Sequence, residues 1–143
     1  MYSTIFSGAL HGVLAYMVSV EVDIARGLPA FFMVGSLGTE VKESRERVSV
    51  ALKNVGLHLP PCRITVNLSP ADRKKDGTAF DLPIAVGLLE ALEVIPAGAA
   101  KGCLFLGELG LDGELKKVRG VLPIVRAAAA EGIRECIVPK AYV

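Results

Sequence analysis

The chain has 143 residues, of which 52% are hydrophobic and 22% are charged, a composition that excludes an intrinsically disordered protein. Its 16 Lys and Arg residues nearly balance its 15 Asp and Glu residues, so the formal net charge is only +1. The net charge therefore does not indicate a nucleic-acid-binding protein, and any contact with nucleic acid must come from a local cluster of basic residues. One domain with an aliphatic core is expected at this length.

No segment has the pattern of a membrane span or a secretory leader. The most apolar window, residues 82–100, is interrupted by Glu90, Glu93 and Pro96, so it predicts a buried helix. The first basic residue is Arg26, whereas a leader needs positive charge ahead of its apolar stretch. We therefore expect a cytoplasmic domain without a membrane partner.

The residues that could bind a metal ion or form a disulfide are few. Cys62, Cys103 and Cys136 are odd in number and widely spaced, which indicates free thiols in a reducing compartment. His11 and His58 are the only histidines, and no C-x-x-C pair occurs, so no metal site is predicted. The loop carboxylates are interpreted as turn and helix-cap residues: Asp72, Asp76, Asp81, Glu108 and Glu114.

The N-terminal part of the chain predicts strands. A strand is expected at 3–10, and apolar and polar residues alternate over 14–24, as in a strand with one wet face. After the turn residues Gly27 and Pro29, an apolar run predicts a third strand at 30–34. Three strands in succession favour antiparallel pairing of neighbouring strands in this part of the sheet.

The middle of the chain predicts two helices around a strand. Residues 40–55 have the apolar period of a helix, which Gly56 ends. Alternation predicts a strand at 63–68. A second helix at 82–92, with Asp81 as its N-cap, is apolar nearly all round, so we place it at the centre of the domain.

The C-terminal part predicts a hairpin, a helix and a strand. The hairpin joins 103–106 to 115–118 through the Asp112-Gly113 turn, and the helix at 121–131 precedes a strand at 136–138. Strands interleaved with helices, without a regular βαβ repeat, favour an α/β (α+β) two-layer sandwich over a doubly wound sheet.

The motifs for nucleotide binding are missing. A P-loop requires Gly-Lys followed by Ser or Thr, and the chain contains no Gly-Lys pair. Gly107, Gly110 and Gly113 have three-residue spacing but lie in the predicted hairpin, so they are interpreted as turn glycines. No cofactor is expected to bind this chain.

Two basic clusters are the candidate sites for contact with DNA or another anion. One lies in the loop before the central helix, where a phosphate could approach the helix N-terminus. The alternative for both clusters is a solvated surface. The candidates are Arg73, Lys74, Lys75, Lys116, Lys117 and Arg119.

Several sequence blocks, in this order, resemble the start of the ComM/YifB family of magnesium-chelatase-like AAA+ ATPases. They are 27–31 (GLPAF) with 34–35 (VG), 41–48 (VKESRERV), 63–72 (RITVNLSPAD) and 80–85 (FDLPIA). The resemblance covers nearly the whole chain and implies a Lon-protease-like fold, also called ribosomal S5 domain 2-like. It also implies a following AAA+ module that binds ATP and magnesium, which fits a chain that stops soon after its last strand, as a fragment would.

The segment 107–114 (GELGLDGE) also resembles a hairpin of the RadA recombination helicase and of Lon. In Lon, a Ser and a Lys form the catalytic dyad. Matched residue by residue, Ala79 stands at the Ser position and Leu122 at the Lys position. The resemblance therefore implies a domain without catalytic residues.

The family resemblance implies an accessory domain that helps to assemble a homo-hexameric ring and contacts DNA during branch migration in natural transformation. The alternative is a structural collar that contacts protein only. An active Ser-Lys peptidase and a metal-chelatase subunit are two further alternatives, and both lack the residues that they would need.

Overall fold

The structure is a computed structural model that describes residues 1–142. Over that range it contains the following elements, ending in a 3-10 turn at Lys140–Tyr142: β1 (Tyr2–His11), β2 (Leu14–Arg26), β3 (Ala30–Val34), α1 (Thr39–Lys42), α2 (Ser44–Asn54), β4 (Cys62–Ser69), α3 (Asp81–Ala91), β5 (Cys103–Phe105), β6 (Glu108–Leu109), β7 (Leu115–Lys116), α4 (Val121–Ala130) and β8 (Glu135–Ile137).

A mixed six-stranded sheet, in the order β3-β4-β2-β1-β5-β8, organises the fold. β2 pairs antiparallel with both β1 and β4. The pairs β3–β4, β1–β5 and β5–β8 are parallel. This architecture confirms the predicted α/β (α+β) class.

Two predicted strand pairings are wrong. β3 pairs with β4 and not with β2, because the chain crosses over through α1 and α2 and places β4 along β2 over eight residues. The hairpin strand facing β7 is β6, whereas β5 joins the main sheet between β1 and β8. β5 is drawn into the sheet because its Leu104 and Phe105 are buried there.

The main core lies between one sheet face and helices α2 and α3. Val18, Val20 and Val22 of β2 are fully buried in it. Gly87 lets α3 approach the sheet, since a Cβ there would lie 2.6 Å from Val22 Cγ2. The predicted central position of this helix is confirmed by its packing against β1, β2 and α2.

A second, smaller core lies where α4 packs on the other face, at the end of the sheet nearest the β1–β2 turn. Gly8 is at this contact, because a Cβ on it would lie 2.4 Å from Ile124 Cγ2. Ile5 and Gly8 differ by an odd number of positions along β1 and so point to opposite faces. Farther along β1, this second face is uncovered and exposes Tyr2 and Phe6.

Two helix predictions need correction. The helix predicted at 40–55 is divided at Glu43 into α1 and α2. Asp81 is the first residue of α3 and makes no cap hydrogen bond, since the N-cap position is Phe80. The Asp81 carboxylate turns into the protein instead, as described below.

Candidate functional site

A cavity of about 800 Å³ opens at the N-terminal end of α3. One wall is the end of β1 with the loop that leads into α3, and the other is the segment between β7 and α4. The lining residues are Gly8, Ala9, Leu10, Glu40, Asp76, Gly77, Thr78, Ala79, Phe80, Glu108, Lys117, Val118, Arg119, Gly120 and Ile124.

Ala79, at the position that the sequence matches to the Lon nucleophile, lines this cavity. Its place is fixed by backbone bonds: the Gly107 N–H donates to the Ala79 carbonyl at 3.0 Å, and the Leu82 N–H donates to the Gly107 carbonyl at 3.0 Å. Leu122, matched to the Lon lysine, is outside the lining and 64% exposed. Thr78 supplies the one hydroxyl among the described lining residues.

A buried polar network beside the cavity joins α2, α3 and β6. The Asp81 carboxylate is fully buried and accepts four hydrogen bonds, from Ser44 Oγ at 2.5 Å, Arg47 Nε at 2.7 Å, Arg47 Nη2 at 3.0 Å and Leu109 N at 3.0 Å. Arg47 Nη2 also donates to the Glu40 carbonyl at 2.7 Å. The network fixes three elements around one carboxylate.

Burial and pairing act in opposite directions on the two charged groups of this network. Burial raises the pKa of Asp81, and the hydrogen bonds from Arg47, Ser44 and Leu109 oppose that shift. The hydrogen bond to Asp81 raises the pKa of Arg47. The 2.7 Å contact of Arg47 Nε with Asp81 Oδ2 makes the pair a salt bridge, which depends on both partners being present.

Lys75, a candidate for DNA contact from the sequence, is buried with 1% exposure. Its ammonium group donates to the carbonyls of Gly35 at 2.6 Å, Arg73 at 2.7 Å and Pro70, and burial lowers its pKa. Backbone bonds hold it there, since the Lys75 N–H donates to the Ser36 carbonyl at 2.9 Å. Lys75 is therefore removed from the candidate contact set, because no phosphate can reach its side chain.

Arg73 and Lys74, which form the basic loop cluster together with Lys75, are exposed. The Arg73 guanidinium lies 4.7 Å from the centre of the Tyr16 ring, a cation–π contact. Lys74 and Lys42 line one shallow groove with residues 33–37. Lys42 was not among the sequence candidates, because it lies in the helix predicted at 40–55 and is far in sequence from the basic loop.

The second basic cluster consists of Lys116, Lys117 and Arg119, and the fold separates Lys116 from the other two. Lys117 and Arg119 line the cavity, where Asp76 and Glu108 are also present. Lys116 lies over the β6–β7 turn, with its Cε 2.8 Å from where a Cβ on Gly110 would be. All three basic side chains are exposed, but the cavity itself has mixed charge.

The described part of the chain contains no group of three or more His, Cys, Asp or Glu residues placed to hold a metal ion. Cys62, Cys103 and Cys136 are free thiols. Across residues 1–142, every helix is too short or too polar to span a bilayer.

Comparisons with known proteins agree with the family resemblance. Residues 20–142 match the family model described as subunit ChlI of Mg-chelatase. The chain is 44% identical over 136 residues to competence protein ComM of Haemophilus influenzae, an alignment that covers 95% of this chain and 26% of that relative. It is 43% identical over 138 residues to the uncharacterized protein YifB of Escherichia coli, covering 96% of this chain and 27% of YifB.

A more distant similarity extends to a protease. Lon protease 2 of Bacillus subtilis is 30% identical over 98 residues, which cover 68% of this chain and 17% of that protein. The chain therefore spans about a quarter of the length of ComM and YifB, and less of Lon.

Proposed function

Because the chain belongs to the family of subunit ChlI of Mg-chelatase, we propose that it is a non-catalytic accessory domain of a magnesium-chelatase-like AAA+ ATPase that contacts DNA. The observation that carries this proposal is the 44% identity to a competence protein over nearly the whole chain. In this proposal the domain helps to assemble a homo-hexameric ring that acts in recombination during natural transformation.

The cavity chemistry supports the non-catalytic part of the proposal. Peptide hydrolysis by a dyad needs a nucleophile and a base within hydrogen-bond reach. Ala79 has a methyl group in the nucleophile position, and Leu122 is exposed outside the lining. Thr78 and Lys117 both line the cavity, but no hydrogen bond joins their side chains among the described contacts.

We expect no peptidase activity. The measurement is release of fluorescence from labelled casein by the chain and by its Thr78→Ala variant, with an active Lon protease as the positive control. Both should remain at the rate of buffer alone. Hydrolysis by the unmodified chain that disappears in Thr78→Ala would identify a threonine nucleophile and contradict the proposal.

The exposed face around Arg73 supports the DNA-contact part of the proposal. Lys42 and Lys74 line the shallow groove, the exposed Arg73 adjoins Lys74 in the chain, and Lys74 Nζ lies 4.0 Å from Asp76 Oδ1. Such exposed cations can replace counterions along a phosphate backbone. The cavity is less suited to this role, because its three carboxylates repel phosphates.

The Arg73→Ala/Lys74→Ala variant is expected to bind DNA more weakly and with less salt dependence. For duplex DNA, the slope of log K against log salt should fall by about 0.9 for each phosphate that the removed side chains had neutralised. Fluorescence anisotropy with single-stranded, duplex and branched DNA at several salt concentrations measures this effect.

The matched control for that experiment is Lys101→Ala/Arg134→Ala, which removes the same charge from exposed residues next to β5 and β8. The control should bind as the unmodified chain does. An equal loss of affinity in both variants would mean that only the net charge of the domain matters. Unchanged DNA binding by the Arg73→Ala/Lys74→Ala variant would mean that this surface does not contact DNA.

A protein–protein collar without DNA contact is the second candidate, and the uncovered sheet face favours it. Phe6 on β1 is 39% exposed there, and Phe32 and Val34 on β3 are 45% and 50% exposed, with β2 and β4 between the two places; partners often cover exposed apolar side chains of this kind. In the full-length protein, deletion of this domain should then abolish ring formation without changing the DNA affinity of each subunit. Loss of DNA affinity on deletion would favour the first proposal.

A further inference from the structure

The three exposed cations proposed to contact DNA, Lys42, Arg73 and Lys74, are not equivalent. Arg73 is the member whose charged group lies over an aromatic ring, since its Cζ is 4.7 Å from the centre of the Tyr16 ring. Such a cation–π contact restrains a side chain that would otherwise move freely in solvent. The two lysines make no contact of this kind in the described part of the chain.

Tyr16 is a firm support for this guanidinium. It belongs to β2, where it is paired with Ala9 of β1, and its half-buried side chain packs against the main core. Side chains that pack in a core remain in one rotamer. The Tyr16 hydroxyl is buried and has no hydrogen-bond partner among the described residues, so the ring, not the hydroxyl, is the group that serves Arg73.

The loop that carries Arg73 is fixed two residues farther along the chain. The Lys75 N–H donates to the Ser36 carbonyl at 2.9 Å, and the Gly38 N–H donates to the Lys75 carbonyl at 2.8 Å. Arg73 is thus restrained at its backbone by these bonds and at its guanidinium by the ring. An exposed arginine ordinarily loses much side-chain freedom when it binds a ligand, and Arg73 has already lost part of it.

The donors of this restrained guanidinium are free. Within residues 1–142, the Arg73 side chain donates to no protein acceptor, and no carboxylate oxygen lies within 4.0 Å of it. Burial raises the pKa of Tyr16, Arg73 opposes that shift, and Asp76 and Asp72 add to it. The two carboxylates therefore lie in the neighbourhood of the ring without pairing with the guanidinium.

The neighbouring charges favour a phosphate over a single carboxylate as the ligand. An arginine fork binds either oxyanion through two parallel hydrogen bonds. Lys74 follows Arg73 directly in the chain and lines a groove with Lys42. Several neighbouring cations suit a polyanion such as a DNA backbone, which presents phosphates in a row.

We propose that Tyr16 is the positioning residue for Arg73, and that the guanidinium held over its ring donates two hydrogen bonds to one phosphate of bound DNA. This inference rests on the DNA contact proposed above and adds the residue that orients it. Because the guanidinium is ordered before DNA arrives, Tyr16 lowers the entropic cost of the contact. Tyr16 itself does not touch the phosphate.

The first test observes the guanidinium without DNA. In nitrogen–proton NMR spectra, the Arg73 Nε–Hε signal is identified by its absence in the Arg73→Lys variant. The ring current of Tyr16 should shift it to lower frequency. Tyr16→Phe should keep this shift, and Tyr16→Leu should move the signal to the position of a solvent-exposed arginine. A signal already at that position in the unmodified chain would overturn the proposal.

The second test measures the affinity for duplex DNA by fluorescence anisotropy at one salt concentration. Tyr16→Leu should weaken binding by about twofold to tenfold, the effect of having to order one long side chain. Tyr16→Phe keeps the ring and should bind as the unmodified chain does. In an Arg73→Ala background, Tyr16→Leu should have no further effect, because the ring acts through Arg73. Circular dichroism verifies that each variant is folded.

Arg73→Lys keeps the test decisive even if Tyr16→Leu does not fold. Lysine retains the charge but cannot form two parallel hydrogen bonds to one phosphate. Arg73→Lys should therefore weaken DNA binding by about tenfold, as the loss of one charge-assisted hydrogen bond implies, and leave the salt slope unchanged. The matched control, Lys74→Arg, should not weaken binding. Equal affinities of Arg73→Lys and the unmodified chain would overturn the two-bond contact.

The remaining outcomes separate this proposal from the DNA contact on which it rests. Equal losses in Tyr16→Phe and Tyr16→Leu, or an undiminished effect of Tyr16→Leu in the Arg73→Ala background, would overturn the role of the ring while the DNA contact stands. If the unmodified chain binds no DNA, the DNA contact and the phosphate ligand of Arg73 both fail, and the NMR shift alone decides whether Tyr16 holds the guanidinium. A glutamate-rich peptide that shifts the Arg73 signal when DNA does not would make this arginine a protein contact instead.

Discussion

Replacement of Asp81 by alanine is expected to lower the free energy of unfolding by about 3–5 kcal/mol, the usual cost of removing one partner of a buried ion pair. Without the carboxylate, the Arg47 guanidinium, whose side chain is 19% exposed, loses its 2.7 Å bridge. Ser44 Oγ and Leu109 N also lose their acceptor. Urea denaturation followed by circular dichroism measures the change.

Two further variants test whether the loss of stability comes from the buried ion pair and not from substitution as such. Asp72→Ala removes an exposed carboxylate from the neighbouring loop and should change the stability by less than about 0.5 kcal/mol. The double variant Arg47→Met/Asp81→Leu replaces both charges by apolar groups and should recover the part of the loss that comes from the unpaired Arg47 charge, whereas Ser44 Oγ and Leu109 N remain without their acceptor. A cost of less than about 1 kcal/mol for Asp81→Ala would contradict the role assigned to this network.

Lys75→Met should destabilise the protein by about 2–3 kcal/mol, since the carbonyls of Gly35, Pro70 and Arg73 would all lose their common donor. Methionine matches the lysine side chain as far as Cε, so the change removes mainly the ammonium group. The matched control is Lys74→Met at the adjacent exposed position, which should alter the stability by less than about 0.5 kcal/mol.

The same two variants should differ in their effect on DNA binding. Under conditions in which both are folded, Lys74→Met should reduce the salt dependence of DNA binding, whereas Lys75→Met should leave it unchanged. A normal stability of Lys75→Met together with a reduced salt slope would mean that Lys75 is accessible, contrary to its 1% exposure.

The strands with strict alternation were predictable because their pattern is local. In β2, Val18, Val20 and Val22 are buried as the alternation indicated, and in β4 the same holds for Ile64 and Val66. Each strand needs only one apolar face to be recognised. The order of the strands was not predictable in this way, because pairing depends on which edges are free once the crossover helices have packed.

The two buried charges were missed for a related reason. Lys75 and Asp81 were interpreted as loop and cap residues, since charged side chains are rarely buried without partners. Asp81 lies 34 positions from Arg47. Lys75 lies 40 positions from Gly35, although its other two acceptors, Pro70 and Arg73, belong to the same loop. One signal was available for Asp81, because Ser44 and Arg47 are three positions apart and so share a helix face.

The candidate site, too, was predictable from the sequence only in part. The position of Ala79 followed from the resemblance alone, and the structure places that residue in a cavity. The cavity itself arises from contacts between segments that are far apart in the sequence, including the end of β1 and residues 117–120.

By itself, the sequence determined the family, the α/β class and most of the helices and strands, because apolar periodicity and the family's sequence blocks are properties of contiguous residues. Only the tertiary structure decided that β3 pairs with β4, that Lys75 and Asp81 are buried, and which of the candidate basic residues are exposed. The physical reason is that burial of a charge and pairing of a strand edge are set by groups that folding brings together from distant positions.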